Sequence, residues 1–174
     1  ILLGGGIANT FLKAKGYELG KSLVDNDSLD FCLTMLKQHS DKIILAVDVV
    51  SAKEISDTAI TKKTNVNGLE QDDIVLDLGD KTLKLYNTYL KDSATIVWNG
   101  TVGMSEINNF AHGTKTLCEM ISKAVATTII GGGDTAGAVI GFGYQEKMSH
   151  ISTGGGASLE LLEGKTLPGI DIID

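Results

Sequence analysis

Hydrophobic and polar positions along the chain follow two alternating patterns. Short apolar runs at Ile43–Val47, Ile74–Leu76, Thr95–Trp98, Thr128–Ile130 and Met148–Ile151 are bounded by polar or glycine-rich stretches and read as buried strands. Ile1-Leu2-Leu3, running straight into Gly4, reads as the end of another, as if the chain started in mid-fold. Between the runs, apolar residues recur at helical spacing. Asp27 stands as an N-cap before Leu29, Cys32, Leu33 and Leu36; Leu117, Met120, Ile121 and Ala124 repeat the pattern, and Leu83, Tyr86 and Leu90 give a weaker version. Strands alternating with helices predict an α/β three-layer sandwich on a parallel, doubly wound, Rossmann-like sheet. The polar stretch from Ser51 to Asp73 breaks the rhythm and reads as a hairpin or an excursion from the sheet, with Lys62 and Lys63 on a solvated face.

Composition narrows this picture. The 174 residues, 43% of them hydrophobic, suffice for one domain, and no linker or internal repeat divides the chain, so residues 1–174 are expected to form a single unit. A formal charge of -7 argues against a nucleic-acid partner. All 15 basic residues are lysines, so no guanidinium fork can clamp a phosphate or carboxylate. Any phosphate must be held by backbone N–H groups, Lys, hydroxyls or a metal. Cys32 and Cys118 have no metal-ligand spacing and read as core thiols, which fits a reducing cytoplasm. No apolar run approaches the ~20 residues that cross a membrane, so no membrane partner is expected.

The 21 glycines are clustered at element junctions. Triplets at Gly4–Gly6, Gly131–Gly133 and Gly154–Gly156 each follow an apolar run and precede a helical pattern, and Trp98-Asn99-Gly100-Thr101-Val102-Gly103 forms a similar junction. In a parallel sheet such turns fall at the carboxyl edge, where ligands bind. Glycine lets backbone approach a ligand closely, and the first N–H groups of the following helix suit phosphate oxygens. A single glycine-rich turn need be no more than a tight connection; three on one edge point to an anion or nucleotide. Asp134, in the first turn after its triplet, would repel phosphate unless a cation lay between them, so it reads as a ligand for nucleotide-borne Mg²⁺, as a helix cap, or as both.

Other features are set aside. Gly16-Tyr17-Glu18-Leu19-Gly20-Lys21-Ser22 is one residue short of a phosphate-binding P-loop and follows a helix. Gly131, Gly133 and Ala136 satisfy the dinucleotide fingerprint, but Gly154 stands where an acid should hold the ribose. His39 follows a helix, His112 sits in a loop and His150 in a strand, none with metal-ligand spacing. Asp48 and Asp77, at strand ends, could orient loops or ligands or simply bond turns.

Four strings carry a family resemblance: Gly4-Gly5-Gly6-Ile7-Ala8-Asn9-Thr10-Phe11-Leu12, Ile96-Val97-Trp98-Asn99-Gly100, Thr128-Ile129-Ile130-Gly131-Gly132-Gly133-Asp134-Thr135, and Ser149-His150-Ile151-Ser152-Thr153-Gly154-Gly155-Gly156-Ala157-Ser158-Leu159-Glu160-Leu161-Leu162-Glu163-Gly164. In this order they resemble phosphoglycerate kinase over essentially the whole chain. The resemblance implies the carboxyl-terminal nucleotide domain, incomplete at its amino end, of a cytoplasmic, monomeric glycolytic enzyme that transfers phosphoryl between 1,3-bisphosphoglycerate and ADP to give 3-phosphoglycerate and Mg-ATP. It implies that Gly5 and Gly79 line an adenine pocket, with Asn99 and Glu106 near triphosphate and ribose. Gly132, Gly133, Asp134 and Thr135 would surround phosphates and Mg²⁺, and Gly155 and Gly156 would present N–H groups to the phosphoryl group in flight. The family's Arg-bearing acceptor patch, on a separate amino-terminal domain, and its Gly-Gly-Ala-Lys-Val string have no counterpart here. Thr101 and Asp80 stand where the family usually has Pro. The alternatives are a stand-alone nucleotide-binding module and a dinucleotide oxidoreductase.

Overall fold

The structure, a computed structural model, describes residues 1–167. Among the described residues, six α-helices and six strands follow in the order α1 (Gly5–Ala14), α2 (Leu29–His39), β1 (Asp48–Ala52), β2 (Lys62–Asn65), β3 (Ile74–Leu78), α3 (Asp80–Leu90), β4 (Thr95–Asn99), α4 (His112–Lys123), β5 (Thr127–Gly131), α5 (Gly133–Gly141), β6 (His150–Ser152) and α6 (Gly155–Leu162), helices and strands alternating from β3 onward. The architecture is α/β with open sheets. Strands β4, β5 and β6 form a parallel sheet in that order, each followed by a helix or glycine turn.

The segment around residues 48–78 departs from the parallel expectation. β1 pairs antiparallel with β2 on one side and β3 on the other, making a separate three-stranded sheet. The polar excursion is therefore the hairpin partner β2, and Ile74–Leu76 begins an antiparallel strand. The run Ile43–Val47 supplies only one parallel bridge, between Ile44 and Leu2. The ladder starts at Asp48 because both of β1's neighbours lie beyond that point, and β1 is buried throughout. The cap expected at Asp27 is also displaced. Asp25 accepts the Asp27 N–H at 3.1 Å and the Ser28 hydroxyl at 2.6 Å, closing a short 3₁₀ turn before α2.

The main core joins Leu12, Val49, Leu83, Tyr86, Trp98, Leu117, Ile130 and Val139, drawing on α1, both sheets, α3, α4 and α5. A second, smaller cluster of Val50, Ala52, Leu76 and Phe110 fills the space beneath the antiparallel sheet. Both cysteines are buried and free; burial raises both thiols above their ordinary range, Cys118 to about 12. Among the described residues, no helix is long and apolar enough to cross a membrane.

Candidate functional site

Parallel pairing puts the carboxyl ends of β4, β5 and β6 in one row, Asn99 beside Gly131 and Gly131 beside Ser152. The turns leaving that row are locked together. Asn99 Nδ2 donates to the Gly155 carbonyl at 3.4 Å, Gly132 N–H to the Ser152 carbonyl at 3.1 Å, and Gly100 N–H to Thr135 Oγ1 at 2.8 Å. A Cβ at Gly155 would stand 2.6 Å from Gly132 Cα and 3.0 Å from its nitrogen, so these two turns touch only because both are glycine. Gly132 also sits at φ +93, where a side chain is strained.

The locked turns present donors. The first N–H groups of a helix have no preceding carbonyl to bond. In α5 those of Gly133, Asp134 and Thr135 are in this position, at the positive end of the helix dipole. In α6 the Gly155 N–H turns back to the Thr153 carbonyl at 3.1 Å, so of the expected pair it is Gly156 whose N–H has no backbone partner among the described residues. Thr135 has its side chain buried and its hydroxyl holding the Gly100 amide, so what this residue offers to the site is its backbone N–H. Asp134 is exposed in the first turn of α5. No group of three His, Cys, Asp or Glu residues among those described could hold a metal by itself. A single exposed carboxylate beside free amides fits an ion shared with a bound phosphate, since Mg²⁺ takes one or two protein carboxylates and completes its shell with phosphate and water.

Two clefts flank the loop from Thr101 to Glu106. On one side a cleft of about 510 Å³ is walled by Gly5, Leu23, Leu78, Val102 and Met104. On the other a cleft of about 620 Å³ is lined by Ser105, Glu106, Gly133 and Asp134. Thr101, Gly103 and Met104 border both. The first cleft is apolar and suited to a flat ring; the second opens onto the α5 amides. Gly5, at φ +59, begins α1 within 3.3 Å (from a Cβ position) of the Thr101 carbonyl, so a side chain there would be strained and crowded. Gly79 stands behind this wall, against the Asp48 carboxylate, and Leu78 lines the cleft in its place.

The apolar wall of Leu23, Val102 and Met104 escaped the sequence reading. None belongs to a periodic pattern, and the sign that could have marked Leu23 is the short apolar pair Leu23-Val24 within the polar stretch from Lys21 to Asp27; in the structure Leu23 is 76% exposed. His112 is the first residue of α4 rather than a loop residue, with Nε2 3.2 Å from Asp80 Oδ1. The P-loop-like string forms a surface turn in which Lys21 pairs with Asp72 at 2.7 Å. Asp48 accepts the Thr82 N–H at 2.7 Å and the Lys81 N–H at 3.1 Å, capping α3 from another strand.

Comparison with known proteins is consistent along the chain. The family model for phosphoglycerate kinase matches residues 1–165. Phosphoglycerate kinases of Staphylococcus epidermidis and Enterococcus faecalis are each 50% identical over 175 aligned positions, covering 100% of this chain. The chain spans 44% of the length of these curated relatives. The solved phosphoglycerate kinase of Coxiella burnetii superposes with a TM-score of 0.93 at 42% identity, over 98% of this chain and 45% of that one. That of Pyrococcus horikoshii gives 0.84 at 27% identity, over 98% of this chain and 44% of that one.

Proposed function

The chain belongs to the phosphoglycerate kinase family, and we propose that it is the part of such a kinase that holds ADP or ATP. One observation carries this reading: the Gly132 and Gly155 turns are locked around Asn99, with free helix amides on one side and the apolar cleft across a single loop. The adenine lies between Gly5 and the wall of Leu23, Val102 and Met104. Glu106, at the end of the loop in the second cleft, faces the ribose. The phosphates reach the amides of Gly133, Asp134 and Thr135. Asp134 would hold Mg²⁺, which when bound would supply positive charge to offset that of the phosphates.

Phosphoryl transfer needs little covalent help from protein. It needs in-line positioning and compensation of charge on the equatorial oxygens. In this chain the Asn99 amide fixes Gly155, the Gly155 backbone abuts Gly132, and the Gly156 N–H is left to donate to the phosphoryl group as it moves. Fixed backbone dipoles of this kind need no reorganisation when charge develops. The direction proposed is transfer from 1,3-bisphosphoglycerate to Mg-ADP, giving 3-phosphoglycerate and Mg-ATP in glycolysis, in a cytoplasmic kinase that acts as a monomer. The acceptor is held by an amino-terminal domain. With no Arg in the chain, the charge at the acceptor end goes uncompensated, so the chain alone binds nucleotide and does not turn over. Ile1 and Leu2 share with β4 residues Ile96 and Val97 a groove of about 700 Å³, room for a further strand from the longer kinase.

Titration calorimetry with Mg-ADP, and a coupled assay of phosphoryl transfer without and with the amino-terminal domain of the Staphylococcus epidermidis kinase, test the reading. Mg-ADP binding with turnover only after addition is expected. Turnover by the chain alone would overturn the account of the acceptor end, and NAD binding without preference for Mg-ADP would favour an oxidoreductase.

A further inference from the structure

The loop from Thr101 to Glu106 separates the two clefts, so whatever fixes it fixes the distance between base and phosphates. Its backbone is tied to β3 at one point, where the Met104 N–H donates to the Leu76 carbonyl at 3.0 Å. The next residue on that strand is Asp77, which is 1% exposed. Its Oδ2 accepts the Gly113 N–H of the first turn of α4 at 2.7 Å, and its Oδ1 accepts the Leu78 N–H at 2.8 Å. Gly103 and Gly113 both close on this carboxylate: a Cβ at Gly103 would lie 2.6 Å from Asp77 Cγ, and one at Gly113 3.0 Å from it. Asp77 also forms part of the lining at the back of the apolar cleft.

Resting on the nucleotide reading above, we infer that Asp77 is a positioning residue, whose carboxylate ties the start of α4 to β3 and packs against the dividing loop at Gly103, and so holds Val102 and Met104 at the spacing an adenine ring requires. Only the ionised carboxylate accepts well at both oxygens; protonated, or replaced by an amide, it turns a donor toward one of the two N–H groups. Burial pushes the Asp77 carboxyl up to about 6, opposed by the Gly113 and Leu78 amides. The charged groups facing it are His112 at the head of α4, which lowers it, and Asp80 at the head of α3, which raises it; Asp80 is itself held by Lys63 of β2 at 2.8 Å.

The test uses the intact chain and two probes, adenosine for the cleft and inorganic pyrophosphate for the amides, titrated over about pH 5 to 8. Wild-type adenosine affinity is expected to fall as pH drops through about 6, following the Asp77 proton. Asp77→Asn should bind adenosine about tenfold more weakly at pH 8, with a flat profile, since one buried amide loses its acceptor. Its pyrophosphate affinity should stay within about twofold of wild type, because the α5 amides are untouched. His112→Gln should keep the fall, with its midpoint moved up because the His112 charge no longer lowers the Asp77 carboxyl. A wild-type profile that is flat, or one that survives in Asp77→Asn and vanishes in His112→Gln, overturns the inference. Equal loss of both probes in Asp77→Asn also overturns it, as general loosening would give that result. A wild-type chain that binds neither probe refutes the nucleotide reading itself.

Discussion

Replacing Gly155 by Ala tests whether the glycine turns are held in contact by the absence of side chains. The new methyl would stand 2.6 Å from Gly132 Cα and 3.0 Å from Gly132 N, both backbone atoms, with Asn99 Nδ2 at 3.3 Å. Gly132 cannot give way cheaply, since its φ of +93 is already fixed by the turn and its N–H is bonded to Ser152. Overpacking of this kind costs about 1–3 kcal/mol. Against it, Ala in the first turn of α6 gains about 0.4–1 kcal/mol by restricting the unfolded chain. The net is a loss of about 0–2.6 kcal/mol, centred on about 1.3. Gly156→Ala, one residue on, meets nothing within 4 Å and keeps only the gain. Thermal unfolding reads the contrast directly, because a chain of this size shifts by about 2–4 °C per kcal/mol. Gly155→Ala should melt several degrees below wild type and Gly156→Ala slightly above it. Equal melting temperatures for the two would refute the idea that Gly132 and Gly155 pack backbone against backbone.

Asp134→Asn should weaken Mg-ADP at least about tenfold while leaving ADP without Mg²⁺ unchanged or tighter, because the carboxylate acts through the ion and otherwise repels phosphate; calorimetry with and without Mg²⁺ checks this. Cys118, fully buried with its thiol pushed up to about 12, should resist a thiol reagent in the native chain and react once urea unfolds it; fast native labelling would contradict the packing. Asp77, raised from 3.8 to about 6, binds a proton more tightly folded than unfolded. Its stabilising proton is therefore fully present below pH 3.8 and is lost as pH rises through 6, a swing on the order of 3 kcal/mol. Urea unfolding of wild type and Asp77→Asn at stepped pH should show wild type losing ground to the variant across that window, and a constant difference would contradict it.

The glycine junctions were legible because their chemistry is local: each triplet has to leave a strand and open a helix, and Gly132 and Gly155 do so. Asn99 and Asp134 were legible by position in those junctions. The antiparallel sheet was not, because a buried apolar run looks the same whichever direction its neighbours take. Ile43 to Val50 is almost continuously apolar, and only the later pairing of Lys62–Asn65 and Ile74–Leu78 decides that the ladder starts at Asp48. The apolar cleft was hidden for a related reason. Leu23 comes from one loop and Val102 and Met104 from another, and the second is fixed by the Met104–Leu76 hydrogen bond and the contact of Gly103 with Asp77. Two hydrogen bonds were not legible, because they depend on how the turns fold: the Thr135 hydroxyl holds the Gly100 N–H, and the Gly155 N–H is taken by the Thr153 carbonyl.

The central claim is that one nucleotide spans the apolar cleft and the α5 amides. An amide chemical-shift map of the chain titrated with Mg-ADP tests it most directly. The account predicts saturable one-to-one shifts at Gly5, Leu23, Val102, Gly133, Asp134, Thr135 and Gly156, with the outer face of α2 unmoved. Shifts confined to the lysine-rich surface of β2, or none at millimolar Mg-ADP, would contradict it.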